Sequence, residues 1–484
     1  MNLRRFIPFL DPSVQDWSFE ARLLYRLTFA WLFVGLVVLF SASYHVGVVE
    51  NVGGLFYFSR QLLWVGVGLV AFCGVLHTSL QKQFKLAPFG FFLFLLLIFA
   101  TRIPGLGESA YGATRWIKIG PIPLQPSELM KPFLILQGAL VFGYWSRLSL
   151  RDRLQWLGLF SLTLLGILIQ PNLSTTSLSG MSLWLMALAA GLPLSSLGLT
   201  AFGGVGLAAI SVSLNEYQLK RVTSFLDPWS DPLGDAFQLV QSLIAIGSGG
   251  VGGAGFGLSQ QKLSYLPIQH TDFIFSIYAE EYGLVGSLFL IGILMTYSFL
   301  GLRVSLKTVD PIRRLVAIGA TVFLVGQSLL NIGVATGVLP TTGLPLPMFS
   351  YGGSSMIASL MISALLIRVA RESQGADVIP LYAEATPPPL RPPISQPRSL
   401  QIFSSPPASS AKSASSRRLP STQTSRSGGR TKPDLPPRLP VQTSTLGSRS
   451  QRRLGSQPRP RAAVPPKTSS VWRWPLGNSS NPRR

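Results

Sequence analysis

The sequence predicts an all-α polytopic membrane protein with about ten transmembrane helices and a long extracytoplasmic loop between the seventh and eighth. Of its 484 residues, 47% are hydrophobic and only 12% are charged, whereas soluble domains carry about 25% charged residues. Apolar stretches long enough to cross roughly 30 Å of hydrocarbon recur along the chain. Lysine and arginine are distributed unevenly between these stretches, and this asymmetry predicts the orientation.

Each apolar stretch is a predicted helix. The stretches lie near residues 22–43, 60–80, 86–101, 126–145, 154–171, 178–193, 195–213, 272–302, 312–335 and 347–371. An even number of crossings places both termini on one side of the membrane. No cleavable signal peptide is evident, because the first apolar stretch is long and many others follow it.

Basic residues identify that side. They precede the first helix, follow the second and tenth, and lie between the fourth and fifth and between the eighth and ninth: Arg4, Arg5, Arg22, Arg26, Lys82, Lys85, Arg147, Arg151, Arg153, Arg303, Lys307, Arg313, Arg314, Arg368 and Arg371. The positive-inside rule makes this side cytoplasmic. Residues 1–21 are then a cytoplasmic segment and 22–373 the core of a multi-pass inner (plasma) membrane protein. The loop 214–271 is extracytoplasmic, and its length suggests function.

Residues 374–484 have a different composition. From Gly375 onward there are 20 of the 37 prolines and 18 Lys and Arg against 3 Asp and Glu, so most of the net charge of +22 belongs to this segment. It cannot bury enough apolar surface to fold, which predicts a disordered, basic cytoplasmic tail. Such a tail attracts anionic lipids. It is either a solvated extension with little part in the core activity or a docking segment for a partner.

Composition also excludes several kinds of site. One cysteine and three histidines allow neither an intramolecular disulfide nor a Cys/His zinc cluster. The letters GSGGVG at Gly247–Gly252 fit a dinucleotide-binding pattern, but they lie in an outer loop rather than between a strand and a helix. Tight turns and close approach of the backbone to a neighbour or ligand explain these glycines better. We therefore expect no nucleotide, no zinc and no nucleic acid.

The stretch YLPIQHTDFIF, Tyr265–Phe275, places Asp272 at the outer end of the predicted eighth helix. A carboxylate there avoids most of the cost of membrane burial, about 2.5–3.5 kcal/mol at the bilayer centre. Asp272 is either a functional group or a helix cap. His270 either modulates it or is an interfacial residue.

The stretch GATRWIKIGPIPLQPSELMK, Gly112–Lys131, combines outer-loop and membrane charges. Glu128 and Lys131 are spaced i, i+3 and can pair on one helix face. They form either a structural ion pair or, with Arg115, a cationic site for an anionic headgroup. Farther on, GVLPTTGLPLPMFSYGGSS, Gly337–Ser355, has the prolines and glycines of a re-entrant or cavity-lining segment.

These motifs, with RVTSFLDPW, QKLSYLPIQHTDFIFSIYAEEYGLVG and NIGVATGVLPTTGLPLPMFSYGGSS, resemble the SEDS family (shape, elongation, division and sporulation) over roughly residues 20–373. PTTGLPLP followed by SYGGSS resembles its division branch. The resemblance implies a ten-helix glycosyltransferase that polymerises lipid II into peptidoglycan during septal cell-wall synthesis. It also implies a class B penicillin-binding protein transpeptidase and other divisome proteins as partners. One departure is QPNLSTT, where many members have Asp and Gly instead of Asn172 and Ser174.

By the same resemblance Asp272 is the family's essential aspartate, and Arg115 and Lys131 are its cationic residues. Our hypothesis makes Asp272 the base of an inverting transfer or the ligand of an assisting divalent cation, Mg²⁺ or Mn²⁺. Arg115 and Lys131 would contact pyrophosphate. The weaker substrate-binding candidates are Glu128, Arg221, Lys262, His270, Ser350, Tyr351, Gly352, Gly353 and Ser354. Two rival functions stay open, a flippase for the lipid-linked precursor and a non-catalytic division scaffold.

Overall fold

The computed structural model of this chain describes residues 12–375, apart from residues 111, 112, 121, 264 and 268. Thirteen α-helices follow a short 3₁₀ turn in these residues. Their bounds are α1 Phe19–Val49, α2 Phe56–His77, α3 Leu80–Ala100, α4 Pro126–Gly143, α5 Leu150–Ile169, α6 Leu173–Ala189, α7 Leu194–Leu214, α8 Glu216–Leu226, α9 Phe237–Ser248, α10 Ile274–Lys307, α11 Pro311–Thr321, α12 Gln327–Ala335 and α13 Gly353–Gly375. Nearly all of the predicted basic tail lies outside the described residues.

The predicted helical membrane fold is confirmed. Among the described helices, eight are long and apolar enough to cross a membrane: α1, α2, α3, α5, α7, α10, the continuous unit of α11 and α12, and α13. A π-helical turn, Val322–Gly326, joins α11 to α12. The other two predicted crossings are α4, which carries Glu128 and Lys131, and the 17-residue α6. The number ten therefore stays a prediction.

The interior of the bundle is built around α13, which packs against α1, α2, α4, α10 and α11. Most of its apolar side chains are buried, and those of Leu360 and Leu366 are fully so. In contrast α7 packs chiefly on α6 and α8, and most of its apolar side chains are exposed. Apolar residues on an outer helix of a membrane protein face lipid, so exposure of this kind needs no protein partner.

Two segments between predicted helices, 102–125 and 214–271, contain regular structure that the sequence pattern did not predict. The segment 102–125 holds a three-stranded antiparallel sheet, β1 Gly107–Ala110, β2 Ala113–Ile119 and β3 Ile122–Leu124, with Ile117 opposite both Gly107 and Leu124. The segment 214–271, predicted as a loop, holds α8 and α9. Both corrections have the same cause: these elements are too short to be recognised as membrane-crossing stretches, and they are stabilised by packing.

The predicted continuous helix over 272–302 is wrong in detail, because α10 begins at Ile274 and breaks at Gly283. Gly283 has φ 64° and ψ −159°, a backbone conformation that favours glycine. The preceding glycine-rich run docks on the break: Ala254 N donates to Glu280 O at 2.9 Å, and Leu284 N donates to Gly250 O at 2.9 Å. The prediction that these glycines permit close backbone approach is confirmed, since a Cβ on Gly249 would collide with the carbonyl oxygen of Ala279 in α10.

Candidate functional site

Asp272 lies in a turn that ends immediately before α10. Phe273 occupies the N-cap position of that helix, and no side chain there makes a capping hydrogen bond. The capping alternative for Asp272 is therefore wrong. The side chain of Asp272 is half-buried, whereas Phe273 and the whole first turn of α10 are buried.

Three hydrogen bonds fix the backbone of this turn, one to each of three successive carbonyl oxygens. Tyr351 N donates to His270 O at 2.8 Å. Ser350 Oγ donates to Thr271 O at 2.5 Å. Asn331 Nδ2 donates to Asp272 O at 2.7 Å. The turn that carries the carboxylate is thus held against α12 and the segment that joins α12 to α13.

That joining segment, residues 337–352, contains no helix or strand. The side chains of Leu344, Leu346 and Phe349 are buried, whereas Val338 at its start is exposed. Its backbone polar groups are met by protein: Gln327 Nε2 donates to Pro345 O at 2.7 Å, and Leu346 N donates to Ser350 Oγ at 2.8 Å. The predicted irregular backbone is confirmed, and it lies against protein as membrane depth requires.

The carboxylate of Asp272 faces a small space beside Gly343. A Cβ added to Gly343 would lie 3.5 Å from Asp272 Oδ2 and 3.6 Å from Arg115 Nη1. Gly343 is itself half-buried, so the space remains accessible. Burial raises the pKa of Asp272 to about 6, and the positive charges of Arg221 and Arg115 offset part of that rise. The group is therefore an anion at neutral pH that can accept a proton readily.

Two arginines act on the charge of Asp272 from separate elements. Arg115 lies on β2, and its Nε donates to Gln170 O at 3.2 Å, while its Nη2 donates to Pro171 O. Arg221 lies on α8, and its Nη1 donates to Thr341 O at 3.2 Å. Each arginine is thus oriented by backbone carbonyl groups. The sheet and α8, neither of which the sequence pattern predicted, are the elements that bring positive charge to Asp272.

Lys131 lies deeper in the bundle, next to Glu128. The side chains of Lys131 and Glu128 are 1% and 2% exposed, and Lys131 Nζ lies 2.6 Å from Glu128 Oε1. The same ammonium group donates to Gln327 Oε1 at 2.8 Å. The ion-pair interpretation describes this arrangement. Pyrophosphate contact by Lys131, and substrate contact by Glu128, stay predictions.

The structure pairs Lys262 with a second buried acid rather than with Asp272. Lys262 Nζ donates to Glu281 Oε1 and to Ser41 Oγ, each at 3.0 Å. The neighbouring Glu280 accepts a hydrogen bond from Gln260 N at 2.8 Å. Both glutamates of α10 thus attach the outer segment to the helix, and substrate contact by Lys262 stays a prediction.

His270 is buried between two tyrosines. Its ring centroid lies 4.7 Å from that of Tyr57 and 5.5 Å from that of Tyr351. Burial lowers the pKa of His270 to about 4, so the imidazole is neutral at physiological pH. Its ring therefore supports the turn and carries no charge that would add to the Asp272 site.

The remaining candidates in SYGGSS organise the same region. Gly352 N donates to Gln61 Oε1 at 3.2 Å, and Ser354 Oγ accepts from Gln125 N at 2.9 Å. Gly353 packs so closely on Trp64 that a Cβ would overlap the indole ring. These contacts give the segment a packing role, and direct substrate contact stays a prediction.

Comparisons with known proteins agree with this architecture. The family model described as "Cell cycle protein", FTSW_RODA_SPOVE, matches residues 21–375. The chain belongs to the FtsW/RodA/SpoVE family. It is 55% identical to the "Probable peptidoglycan glycosyltransferase FtsW" of Synechocystis sp., a match covering 80% of this chain and 98% of that one. It is 34% identical to stage V sporulation protein E of Bacillus subtilis, over 73% and 97% of the two chains.

Solved structures of this family have the same fold. A chain from a peptidoglycan synthase complex, solved to explain the coordination of polymerization and crosslinking, is 30% identical with a TM-score of 0.58, over 73% of this chain and 98% of that one. The rod shape determining protein RodA of Thermus thermophilus is 28% identical with a TM-score of 0.53, over 72% and 96%. The predicted family resemblance is confirmed.

Asn172, at a position where we expect Asp in many family members, has a local structural role in this chain. It is the N-cap of α6, and its side chain accepts a hydrogen bond from Thr175 N at 3.3 Å. Its side chain is buried beside Pro171, whose carbonyl oxygen binds Arg115. An amide oxygen caps a helix as well as a carboxylate does, so Asn172 can keep this corner of the site in place.

The residues around Asp272 do not fit a divalent cation held by the protein in this member of the FtsW/RodA/SpoVE family. A site formed by protein alone supplies several oxygen ligands, whereas Mg²⁺ is often bound by one or two carboxylates together with substrate phosphates and water. Within the described part of the chain, no group of three or more His, Cys, Asp and Glu could hold a metal. The charged neighbours of Asp272 are instead Arg221 and Arg115. A role for Asp272 as ligand of an Mg²⁺ or Mn²⁺ ion that substrate phosphates also bind stays a prediction.

Proposed function

We propose that this protein is a peptidoglycan glycosyltransferase that polymerises lipid II at the outer face of the plasma membrane. The observation that carries the proposal is that Asp272 and Arg115 meet at the partly exposed space beside Gly343, while the positive charge of Arg221 acts on the same carboxylate. The names of the family relatives support it. A carboxylate base next to two guanidinium groups suits a reaction that removes a proton and releases an anion.

In the proposed reaction the 4-hydroxyl oxygen of an acceptor sugar forms a bond to the anomeric carbon of the donor. The bond between that carbon and the pyrophosphate oxygen breaks, and the configuration inverts. Asp272 accepts the hydroxyl proton, and the departing pyrophosphate carries away the bonding electrons. Arg115 and Arg221 bind phosphate oxygens, because planar guanidinium groups match them bidentately.

The proposed protonation state follows from the pKa of Asp272, which burial raises to about 6. At pH 7 most of the carboxylate is ionised and can act as the base. Because its pKa is above the usual value for aspartate, it is also a stronger proton acceptor than an exposed aspartate would be. The arginines keep the rise small enough for the anion to predominate.

The cellular setting is part of the same proposal. A class B penicillin-binding protein would crosslink the new strands, by analogy with the related peptidoglycan synthase complex, in which polymerization and crosslinking are coordinated. Both termini would be cytoplasmic, the protein would act at the division septum, and the basic tail would contact anionic lipids.

The test is polymerisation of labelled lipid II by the purified full-length protein in liposomes, with and without the partner transpeptidase. Glycan strands are resolved by length on gels. We expect strands from the parent protein and none from Asp272→Asn. The matched control is Asp235→Asn, because Asp235 is an exposed carboxylate whose charged contact is with Lys220.

The same liposomes separate the rival functions. Lipid II that crosses the bilayer without forming strands would overturn the proposal in favour of transport. Strand formation by Asp272→Asn at the parental rate would leave the glycosyltransferase but refute the role of Asp272.

A further inference from the structure

Asn331, on α12, makes contacts that no part of the proposed reaction uses. Its side-chain nitrogen, Nδ2, donates to Asp272 O at 2.7 Å and to Leu344 O at 2.8 Å. These two carbonyl groups belong to segments that are far apart in the sequence but adjacent in space. One segment carries the Asp272 carboxylate, and the other carries Gly343, which the carboxylate faces. One amide therefore connects both sides of the accessible space.

The same helix face makes a second, parallel contact. Gln327 lies one turn before Asn331, and its Nε2 donates to Pro345 O at 2.7 Å. Residues four apart share a helix face, so two amides hold the successive carbonyl oxygens of Leu344 and Pro345. The backbone at Gly343 thus has a fixed position relative to α12.

Burying the polar side chain of Asn331 costs stability, which indicates that its two hydrogen bonds are needed. Asn331 is 1% exposed, and its Oδ1 has no hydrogen-bond partner among the described residues. A buried polar atom without a partner costs about 1–3 kcal/mol. The two carbonyl acceptors fix the orientation of the amide, because only the nitrogen can donate to them. Packing alone would favour an apolar side chain of the same size.

We propose that Asn331 is a positioning residue that sets the distance between the Asp272 carboxylate and the Gly343 backbone beside Arg115. This inference rests on the proposed function of Asp272. A fixed distance between the carboxylate and the Gly343 backbone would keep the acceptor hydroxyl within reach of the base. A displacement of about 1 Å in such a site can cost roughly 100-fold in rate.

The test uses Asn331→Leu in the full-length protein, with lipid II polymerisation as the readout. Leucine has a similar volume but no donor, so both carbonyl oxygens lose their partner. We expect kcat to fall roughly 10- to 100-fold, while KM for lipid II changes by less than about threefold because Asn331 is not placed to touch substrate.

A second readout separates positioning from general weakening of the fold. The charged or titratable groups near the carboxylate are Arg221 on α8, Arg115 on β2 and His270 in the same turn. If Asp272 moves away from the arginines, the acidic limb of the kcat profile shifts to higher pH. A purely structural defect would lower the amount of folded enzyme and leave the limb in place.

Gln83→Leu is the matched control. Gln83 is also a buried amide, and its Nε2 donates to two backbone carbonyl oxygens, those of Val75 at 2.7 Å and Thr78 at 2.8 Å. It lies in the first turn of α3 and binds the C-terminal end of α2, at the predicted cytoplasmic side. Its replacement should lower thermal stability as Asn331→Leu does, yet leave kcat per folded protein and the pH profile unchanged.

If the leucine variant fails to insert, Asn331→Gln is used instead, since it keeps the donors but moves them by one methylene group. Reduced kcat with a shifted acidic limb in either folded variant supports the proposal. Parental kcat and an unshifted limb in a folded variant overturn it. Asp272→Asn is measured in parallel and tests the proposed function separately. If Asp272→Asn is inactive while the folded Asn331 variant is fully active, the positioning role is refuted and the role of Asp272 is not.

Discussion

Gly343→Ala is the sharpest test of the space beside Asp272. The added methyl group would lie 3.5 Å from Asp272 Oδ2 and 3.6 Å from Arg115 Nη1. Both distances are ordinary van der Waals contacts, so the methyl group fits without displacing either side chain. Gly343 is not among the described glycines that have positive φ, so its backbone conformation accepts alanine.

These distances predict opposite effects on stability and rate. Replacing glycine by alanine at a compatible position stabilises a protein by about 0.4–1 kcal/mol, through the unfolded state. An acceptor hydroxyl must approach the base to about 2.6–3.2 Å. A methyl group at 3.5 Å from Oδ2 occupies that approach on the Gly343 side. We therefore expect kcat/KM to fall roughly 10- to 100-fold, or about 1.4–2.7 kcal/mol of transition-state stabilisation.

The assay pairs lipid II polymerisation rates with thermal unfolding in the same detergent or liposome. Gly292→Ala is the control, because a Cβ at Gly292 would meet nothing within 4 Å. We expect Gly292→Ala to keep the parental rate. A Gly343→Ala protein that polymerises lipid II as fast as the parent would show that substrate does not enter this space, and the reasoning would fail.

Three further predictions concern charge. Asp272 acts as a base only when it is deprotonated, so kcat should be full above pH 7 and fall as the pH drops through about 6; an unshifted aspartate would keep the rate until about pH 4. Arg221→Gln removes a positive charge that favours the Asp272 anion, so the acidic limb of its rate profile should move to higher pH. A parental rate that is flat down to about pH 5 would contradict the first statement, and an unshifted limb in Arg221→Gln would contradict the second. Lys131→Met leaves Glu128 buried without its cation and should destabilise the fold by about 3–5 kcal/mol. The double variant Glu128→Gln/Lys131→Met should recover most of that loss in thermal unfolding, and equal melting of the two variants would argue against the pair.

The membrane helices were the predictable part of the fold. Long apolar stretches specify helices in lipid whatever their partners, since every backbone group must be satisfied within the segment. The predicted start of α4 at residue 126 agrees with the structure, and α10 begins within two residues of the prediction. The break at Gly283 could not be predicted in the same way. It depends on a glycine-rich run that docks from about 30 residues earlier in the chain.

Individual residues of the site could be predicted from the sequence, but their spatial arrangement could not. Motif resemblance singled out Asp272 and Arg115, and the placement of Asp272 near the end of a helix followed from hydropathy. The convergence of Arg221 with them depends on α8, a short helix with little apolar signal of its own. The buried contact between Lys131 and Gln327 joins residues 196 positions apart. Such pairs follow from tertiary packing, which a single sequence does not encode locally.

Asn331 and Gly343 could not be singled out from the sequence, although both lie in motifs that carry the family resemblance. Nothing in their local pattern separates them from neighbouring residues of α12 and the joining segment. Their importance lies in two hydrogen bonds and two contact distances that exist only after the turn at Asp272 has folded against the joining segment. The sequence therefore indicated several of the functional side chains, whereas their distances and hydrogen bonds come from the structure.

The role of Asp272 as the base is tested most simply by the polymerisation rate of Asp272→Asn at saturating lipid II, compared with its affinity for lipid II. The isosteric amide keeps the shape of the side chain but cannot accept the proton. We expect lipid II binding within about threefold of the parent and a rate reduced by roughly 100- to 10,000-fold, the range for loss of a general base. A folded Asp272→Asn protein that forms glycan strands at the parental rate would contradict the proposed mechanism.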